Sequence, residues 1–498
     1  MKKRLFTLLA ALLCAALILP AAVGCAKGSS DSTQAENTTA AVPGENSGDE
    51  ATSAEVDKYA GLDYKGETFT YYAWKQSTLE YYGDENTGDL IQSAIFKRNL
   101  HVSEKLGVEL EFIEEAGNSS TFTNFCQIAE TNIKSDAHLY DGIACYTRSA
   151  SLLMTSGLLS NLLDSQYLDF SASCWPASLI ELNTIGDKLY FASGDIATSL
   201  LYQMMFMAIN NDVAKDRSIE GVQEKALAGE WTIDYMLELC RDCYNDLDPI
   251  GTREPSDGYG LFTVSHPMLD MFYIGAGMKY VVITDGEPKI SEDITSDKSL
   301  DVVAKLQNLF FTSKDGYFNT DSGQSSYMKD GTSLFYVLNG TWLQSRLNVS
   351  DFDYSILVAP KYNLDQKNYY TVVGFPHSMY CIPLDAEDKT MSGAVIQLQA
   401  EESLKEVTPV VFDTSFKYRY SNGVGDVEMF DIIREGVVFD LARTLFDQLG
   451  GDSSSPIRTW RNEVYQNTTT LARNAKANYS KWNKALANTI DTIKTKLG

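Results

Sequence analysis

Histidine is scarce: four in 498 residues, too few for the imidazole clusters of a His-rich metal enzyme. Positive charge is short as well, with 41 Lys+Arg against 67 Asp+Glu and a formal net charge of −26. Phosphate backbones are gripped by clustered Lys and Arg that release counterions, so this balance argues against nucleic acid as a partner. No H-E-x-x-H and no G-x-S-x-G occurs, which removes the usual signatures of a zinc protease and an α/β-hydrolase. Gly275-Ala276-Gly277 is a lone G-x-G without a phosphate-loop Lys or the full dinucleotide fingerprint. Neither metal nor cofactor is expected. Pro and Gly occur in ordinary amounts, so collagen and disorder both fail as descriptions of the whole chain.

What is present begins with a leader. Lys2, Lys3 and Arg4 precede an apolar run over 5–23, closed by Ala22-Val23-Gly24-Cys25. A basic start, an apolar core and small residues before a cut site describe a secretory signal over 1–24. The four closing residues resemble a bacterial lipobox, with Ala22 where Leu is usual, and imply acylation of Cys25. Acyl chains there would anchor the protein to a membrane at ~0.8 kcal/mol per buried CH₂. The alternative is an uncleaved span, since the run is nearly long enough to cross a bilayer. Either way the domain is expected on the extracellular face of the cytoplasmic membrane. Residues 25–57 form the lipidated Cys and a tether of Ser, Thr, Ala, Gly, Asn and Glu without one aromatic, too polar to offset its chain entropy. Eight cysteines fall to six once Cys14 leaves and Cys25 is acylated. Cys240 and Cys243, read inside a helix over 233–245, lack the second pair that a zinc ribbon needs, and disulfide pairing stays open.

Hydrophobic residues make up 44% of the chain, ample for a core spread over two to four domains at roughly 150 residues each. From Tyr59 onward strands and helices alternate. Residues 67–74 are β-rich, Asp89 caps an amphipathic helix reaching Leu106, Gly107 stops it, and 108–113 alternates as a strand. A helix over 120–134 and a buried strand over 140–145 follow, with strands at 188–192, 204–209, 333–337, 355–358 and 377–382. Helices are expected at 231–245, 299–311, 426–449 and 461–496. Such alternation implies an α/β fold with mainly parallel sheets, whose ligands sit at the carboxyl ends of the strands. That rule places 74–78, 146–149 and 193–195 on the functional edge.

Six segments in order then carry a resemblance. They are Gly186-Asp187-Lys188-Leu189-Tyr190-Phe191, Ile209-Asn210-Asn211-Asp212-Val213, Glu230-Trp231-Thr232, Met328-Lys329-Asp330-Gly331, Asn339-Gly340-Thr341-Trp342 and Leu357-Val358-Ala359-Pro360-Lys361. Together they resemble the extracellular solute-binding proteins of carbohydrate ABC transporters, of maltose-binding type. Asn211 stands where that family has Lys, Ile209 where it has an aromatic, and the first Pro of its P-x-P-K is missing. The resemblance implies a two-lobe periplasmic-binding-protein-like II clamshell, each lobe a mixed β-sheet flanked by helices, joined by hinge strands. Crossings would fall near 201–206, 370–374 and 432–438. Lobe one would hold 58–203 plus 374–433, and lobe two 207–370 plus 438–498. Implied partners are a sugar or oligosaccharide, ABC permease subunits and the membrane through Cys25; the protein is expected to be a monomer.

A pyranose offers C–H faces that pack on aromatic rings and hydroxyls that suit planar bidentate partners. Candidate ligand residues are therefore Trp74 and Gln76 after the first strand, Arg148, Asp195 beside Gly194, Trp342 and His377. Each has a plainer reading: Trp74 and Trp342 as lobe core, Asp195 as a helix cap, Arg148 as a surface charge, His377 as a structural histidine. The expected function is non-catalytic sugar capture. A peptide-binding protein and a cell-surface glycoside hydrolase are the alternatives, the latter needing a carboxylate pair that no sequence spacing identifies.

Overall fold

The computed structural model describes residues 57–248 and 251–495. The leader, the Cys25 lipobox and the tether up to Val56 lie outside them. The first sheet starts with β1 (Glu67–Trp74), whose β-branched and aromatic residues suit a half-buried strand. Asp89 accepts hydrogen bonds from the backbone of Ile91 and Gln92 and so opens α1 (Leu90–Leu106). Gly107, at φ 67°, closes that helix in the left-handed region that a side chain disfavours. β2 (Val108–Glu115) then returns parallel to β1. After α2 (Phe122–Lys134), β3 (Gly142–Tyr146) lies parallel to β1 on its other side and feeds α3 (Thr147–Thr155).

The chain crosses to a second sheet at β4 (Met205–Asn210). β5 (Leu261–Val264) follows, then a hairpin of β6 (Val281–Thr284) and β7 (Glu287–Ile290), and α4 (Asp297–Gln307). β8 (Gly316–Asn319), β9 (Phe335–Asn339) and β10 (Tyr354–Leu357) complete the sheet in the order β10-β4-β9-β5-β8. β4 runs antiparallel to both neighbours, while β9, β5 and β8 are parallel. β11 (Thr371–Val372) brings the chain back, and β12 (Ser378–Cys381) adds an antiparallel edge to the first sheet, giving β12-β3-β1-β2. Both sheets are mixed and flanked by helices. The fold is a two-lobe α/β clamshell.

Between the lobes lies a ribbon of extended backbone. Met204 bridges Val373 antiparallel, and β11 pairs parallel with β13 (Val437–Val438). The stretch between them departs from expectation. After α5 (Lys389–Glu402) packs on α1, residues 403–419 continue in wide, π-type turns that still touch α1. Phe412 and Phe416 then meet Phe430, which also sits edge-on to Phe206 of β4 at 5.7 Å between ring centroids. α6 (Val424–Glu435) packs on β10, where Asp426 accepts from the Ile356 amide at 2.7 Å. So 424–433 lies with the second sheet and not the first. The crossing is the helical stretch 403–419, whose aromatic face fits both lobes and left no break in the sequence pattern.

Three smaller differences share one cause, the competition of tertiary contacts with local pattern. Residues 188–192 make only isolated bridges to Ile185 and Tyr380, not a strand. The expected helix over 426–449 breaks at Gly436 into α6, β13 and a short helix Leu441–Thr444. The helix expected over 233–245 ends at Cys240, so Cys243 lies beyond it; both thiols are buried and free. At the end of the chain, α7 (Pro456–Tyr465) packs on α4, and α8 (Leu471–Thr495) on α7 and β7. No described helix is long and apolar enough to cross a membrane.

Candidate functional site: the cleft between the lobes

Strand direction locates the cleft. Ser378, four residues after Gly374 of the hinge, pairs with Tyr146, the last residue of β3. The parallel strands of the first sheet therefore point their carboxyl ends, Trp74, Glu115 and Tyr146, at the hinge side. In the second sheet Met205, next to hinge residue Met204, pairs with Asn339, the last residue of β9. β5 and β8 run parallel to β9, so the turns at Ser265 and beyond Asn319 face the same way. Loops from both sheets thus converge across the hinge, where ligands bind in open α/β sheets.

On the first wall, Trp74 is 2% exposed. Its ring stacks on Tyr146 at 5.5 Å, and its indole N–H donates to Ser378 Oγ at 2.8 Å. Trp74 is core, because the last residue of β1 points into the lobe and finds its polar partner there; the expectation that it faces ligand is corrected. Gln76 is exposed, and its Oε1 accepts from the Gly117 amide at 2.9 Å, tying the loops after β1 and β2 together. Gly117 is required here, since a Cβ would lie 2.8 Å from that of Trp74.

Arg148, at the start of α3, sits between two rings, with its guanidinium carbon 4.5 Å from the Phe122 centroid and 5.1 Å from that of Phe446. It donates twice to Asp447 and once, at 3.2 Å, to Asp452. Burial works against its charge, but the bonds to Asp447 outweigh burial and raise its pKa. The stretch 441–454 that carries these carboxylates is fastened at its other end to the second lobe. There Arg443 and Arg461 both meet Asp270, which is wholly buried, and Arg443 also donates to the hinge carbonyl of Val373 at 2.8 Å. Burial would raise the Asp270 carboxyl, yet the two guanidinium groups hold it below its ordinary value. This stretch is a strap spanning both lobes.

The second wall carries Trp342, half-buried, in the short turn after β9 that Asn339 caps by accepting from the Trp342 amide at 3.0 Å. Beside it Gln203 donates to Thr341 at 3.3 Å and accepts from Asn339 at 3.1 Å, while its carbonyl accepts from Gly374, so wall and hinge share one network. Next to β5, Ser265 adopts φ 74°, which aims His266 at Tyr465, 4.4 Å between centroids. Burial, with Arg458 and Arg461 nearby, pushes the His266 pKa down to about 4, and its buried Nδ1 has no partner among the described residues. Sequence reasoning passed over His266; the only signal was a His-Pro pair just past a strand end.

Two candidates fall elsewhere. His377 is 5% exposed; its Nδ1 pairs with the Gly374 carbonyl at 2.8 Å and its Nε2 with Thr147 Oγ1 at 3.3 Å. Burial lowers its pKa to about 4, so it is a neutral structural histidine that ties hinge to α3, and its expected ligand role is corrected. Asp195 accepts from Thr408 at 2.5 Å and lies 3.7 Å from Arg434, on a pocket of about 260 Å³ walled by hinge residues Met204, Val373 and Val437. Burial raises its pKa. Gln76, Arg148 and Trp342 each follow the carboxyl end of a sheet strand, on loops that face the hinge side, while Asp195 lines the pocket at the hinge itself.

Solved structures of small-solute-binding proteins share this fold. A cyclic α-maltosyl-1,6-maltose binding protein from Arthrobacter globiformis matches at TM-score 0.56 and 11% identity, over 85% of this chain and all of that one. UgpB from Mycobacterium tuberculosis, in complex with glycerophosphocholine, matches at 0.54 and 11%, over 86% and 98%. The galacto-N-biose/lacto-N-biose I-binding protein of an ABC transporter from Bifidobacterium longum matches at 0.52 and 11%, over 88% and 100%. No family model and no curated protein matches the chain. The fold is the one these solved binding proteins share.

Proposed function

We propose that this chain is the extracellular substrate-binding lipoprotein of an ABC importer, capturing a neutral sugar or oligosaccharide between its lobes for delivery to a permease. The observation that carries this is the pair of sheets whose carboxyl ends meet over a hinge of extended strands, with Trp342 half-buried on one wall. Lobe one then comprises 58–203 and 374–402, and lobe two 207–370, 424–435 and the C-terminal helices. Trp342 would stack a sugar ring, Gln76 and Thr341 would meet hydroxyls, and Arg148 would hold the strap while presenting its remaining N–H to ligand. Closure on ligand follows from preferential binding to the closed form.

The role is non-catalytic. A glycosidase needs a carboxylic acid of raised pKa set opposite a second carboxylate. At this cleft Asp447 and Asp452 are both committed to Arg148. Of the carboxyls that burial raises, Asp141, Asp426 and Asp440 accept hydrogen bonds within the fold, and Asp195, on the hinge pocket, accepts from Thr408 beside Arg434 with no second carboxylate among the described residues that line that pocket.

Calorimetric titration of the native chain and of Trp342→Ala against a panel of malto-, galacto- and cyclic oligosaccharides tests the reading. Saturable binding that weakens by roughly ten-fold in the variant, as a stacking loss of ~1.5 kcal/mol implies, supports it. Silence across the glycans, with uptake of peptides or glycerophosphodiesters instead, would replace sugar by that ligand class. Anchoring through Cys25 is tested by the mass of the chain isolated from membranes, which should include acyl groups at that residue.

A further inference from the structure

The C-terminal helix breaks the charge pattern of the rest of the protein. In a chain with 67 acidic and 41 basic residues, residues 464–490 contain no Asp or Glu, yet hold Arg473, Lys476, Lys481 and Lys484. Their spacing of three, five and three residues places them on one face of α8. Leu471, Ala475, Trp482, Leu486, Ile490 and Ile493 occupy the opposite face and are buried. All four basic side chains are exposed, and none has an ion-pair partner among the described residues. The stripe ends where Lys494 pairs with Glu287 at 2.9 Å. From Arg473 to Lys484 it runs ~16 Å along the helix axis.

We propose that this face of α8 docks on an anionic phospholipid surface, orienting the second lobe against the bilayer. The polar side of a helix that is buried along its other side needs no cation, and from Arg473 to Lys484 this face carries four and no carboxylate, Asp491 following two turns later, so in a strongly acidic protein this stretch calls for an external counter-charge. At physiological ionic strength the Debye length is about 8 Å, so the acidic remainder of the molecule is screened while the stripe in contact is not. Basic residues near an anionic bilayer each strengthen partition by about five-fold, and four acting additively on one face give roughly six-hundred-fold. Membrane contact through α8 is independent of what fills the cleft, so it stands or falls apart from sugar binding.

Co-sedimentation of the chain from Cys25 onward, without the leader and its Lys2, Lys3 and Arg4, with vesicles of phosphatidylcholine alone, and of phosphatidylcholine mixed with phosphatidylglycerol, tests it. Partition should favour the phosphatidylglycerol vesicles, and that preference should vanish in a variant carrying Arg473→Glu, Lys476→Glu, Lys481→Glu and Lys484→Glu. Equal partition of the native chain on both vesicles, or a preference retained by the variant, would overturn the proposal. Should the variant not fold, salt titration of the native chain decides: the preference must collapse as salt shortens the screening length, and a salt-independent preference would equally overturn it.

Discussion

Arg148 and Asp447 stand 299 residues apart in the chain, and the Arg148 Nε donates to Asp447 Oδ2 at 2.8 Å while Nη2 donates to Oδ1 at 2.5 Å. This fork joins the start of α3 to the strap that Arg443 fastens to the other lobe. Arg148→Ala should lower stability by about 2 kcal/mol, the usual worth of hydrogen bonds to a charged partner. Arg148→Lys should recover only part of it, since an ammonium cannot form the planar fork. Urea unfolding of the three proteins measures the difference, and an unchanged midpoint in Arg148→Ala would show that the strap is held by other contacts.

Asp270 is a sharper case. It is wholly buried between Arg443 and Arg461, whose guanidinium groups also lie over Phe375 at 4.3 and 5.7 Å. Asp270→Ala leaves two buried cations without their anion and should cost ~3–5 kcal/mol. The unfolding midpoint reads this directly, and a loss below about 1 kcal/mol would mean that water reaches both arginines.

His377 sets part of the acid limit. Its folded pKa, about 4, lies below the ordinary value near 6.5, so the neutral ring is the native form. Its contribution is whole above pH ~6.5 and is lost as pH falls toward 4, up to roughly 3 kcal/mol. The raised carboxyls Asp141, Asp195, Asp426 and Asp440 act with the opposite sign, so the native curve alone is ambiguous. His377→Gln should flatten the loss of stability between pH 6.5 and 4 relative to the native protein; parallel curves would remove His377 from that role.

Trp74 and Trp342 should separate stability from binding. Trp74→Ala opens a cavity beside Tyr146 and Ser378 and should cost ~3–5 kcal/mol, with affinity retained wherever the protein stays folded. Trp342→Ala should do the reverse. Thermal unfolding set beside titration compares them, and a Tm collapse in Trp342→Ala would move that ring from the ligand wall to the core.

Much of the fold could be read from local pattern. Alternation marked β1 and β2, Asp89 and Gly107 bracketed α1, and the strand expected over 333–337 overlaps β9. The site was less legible, because burial at a strand end depends on what lies across it. Nothing in 67–74 shows that Ser378 waits to accept the Trp74 N–H. Asp270, Arg443 and Arg461 are scattered along the chain and meet only after both lobes have formed. The break at Gly436 lies between helical stretches, where Gly436 and the β-branched Val437 and Val438 disfavour helix and the two valines pair with β11 instead.

Closure of the two lobes over a neutral guest is most directly measured by small-angle X-ray scattering during an oligosaccharide titration. A radius of gyration that falls and saturates with ligand, with the glycan recovered unchanged, is the expected result. A radius indifferent to every glycan, or a glycan returned in fragments, would contradict sugar capture by a closing cleft.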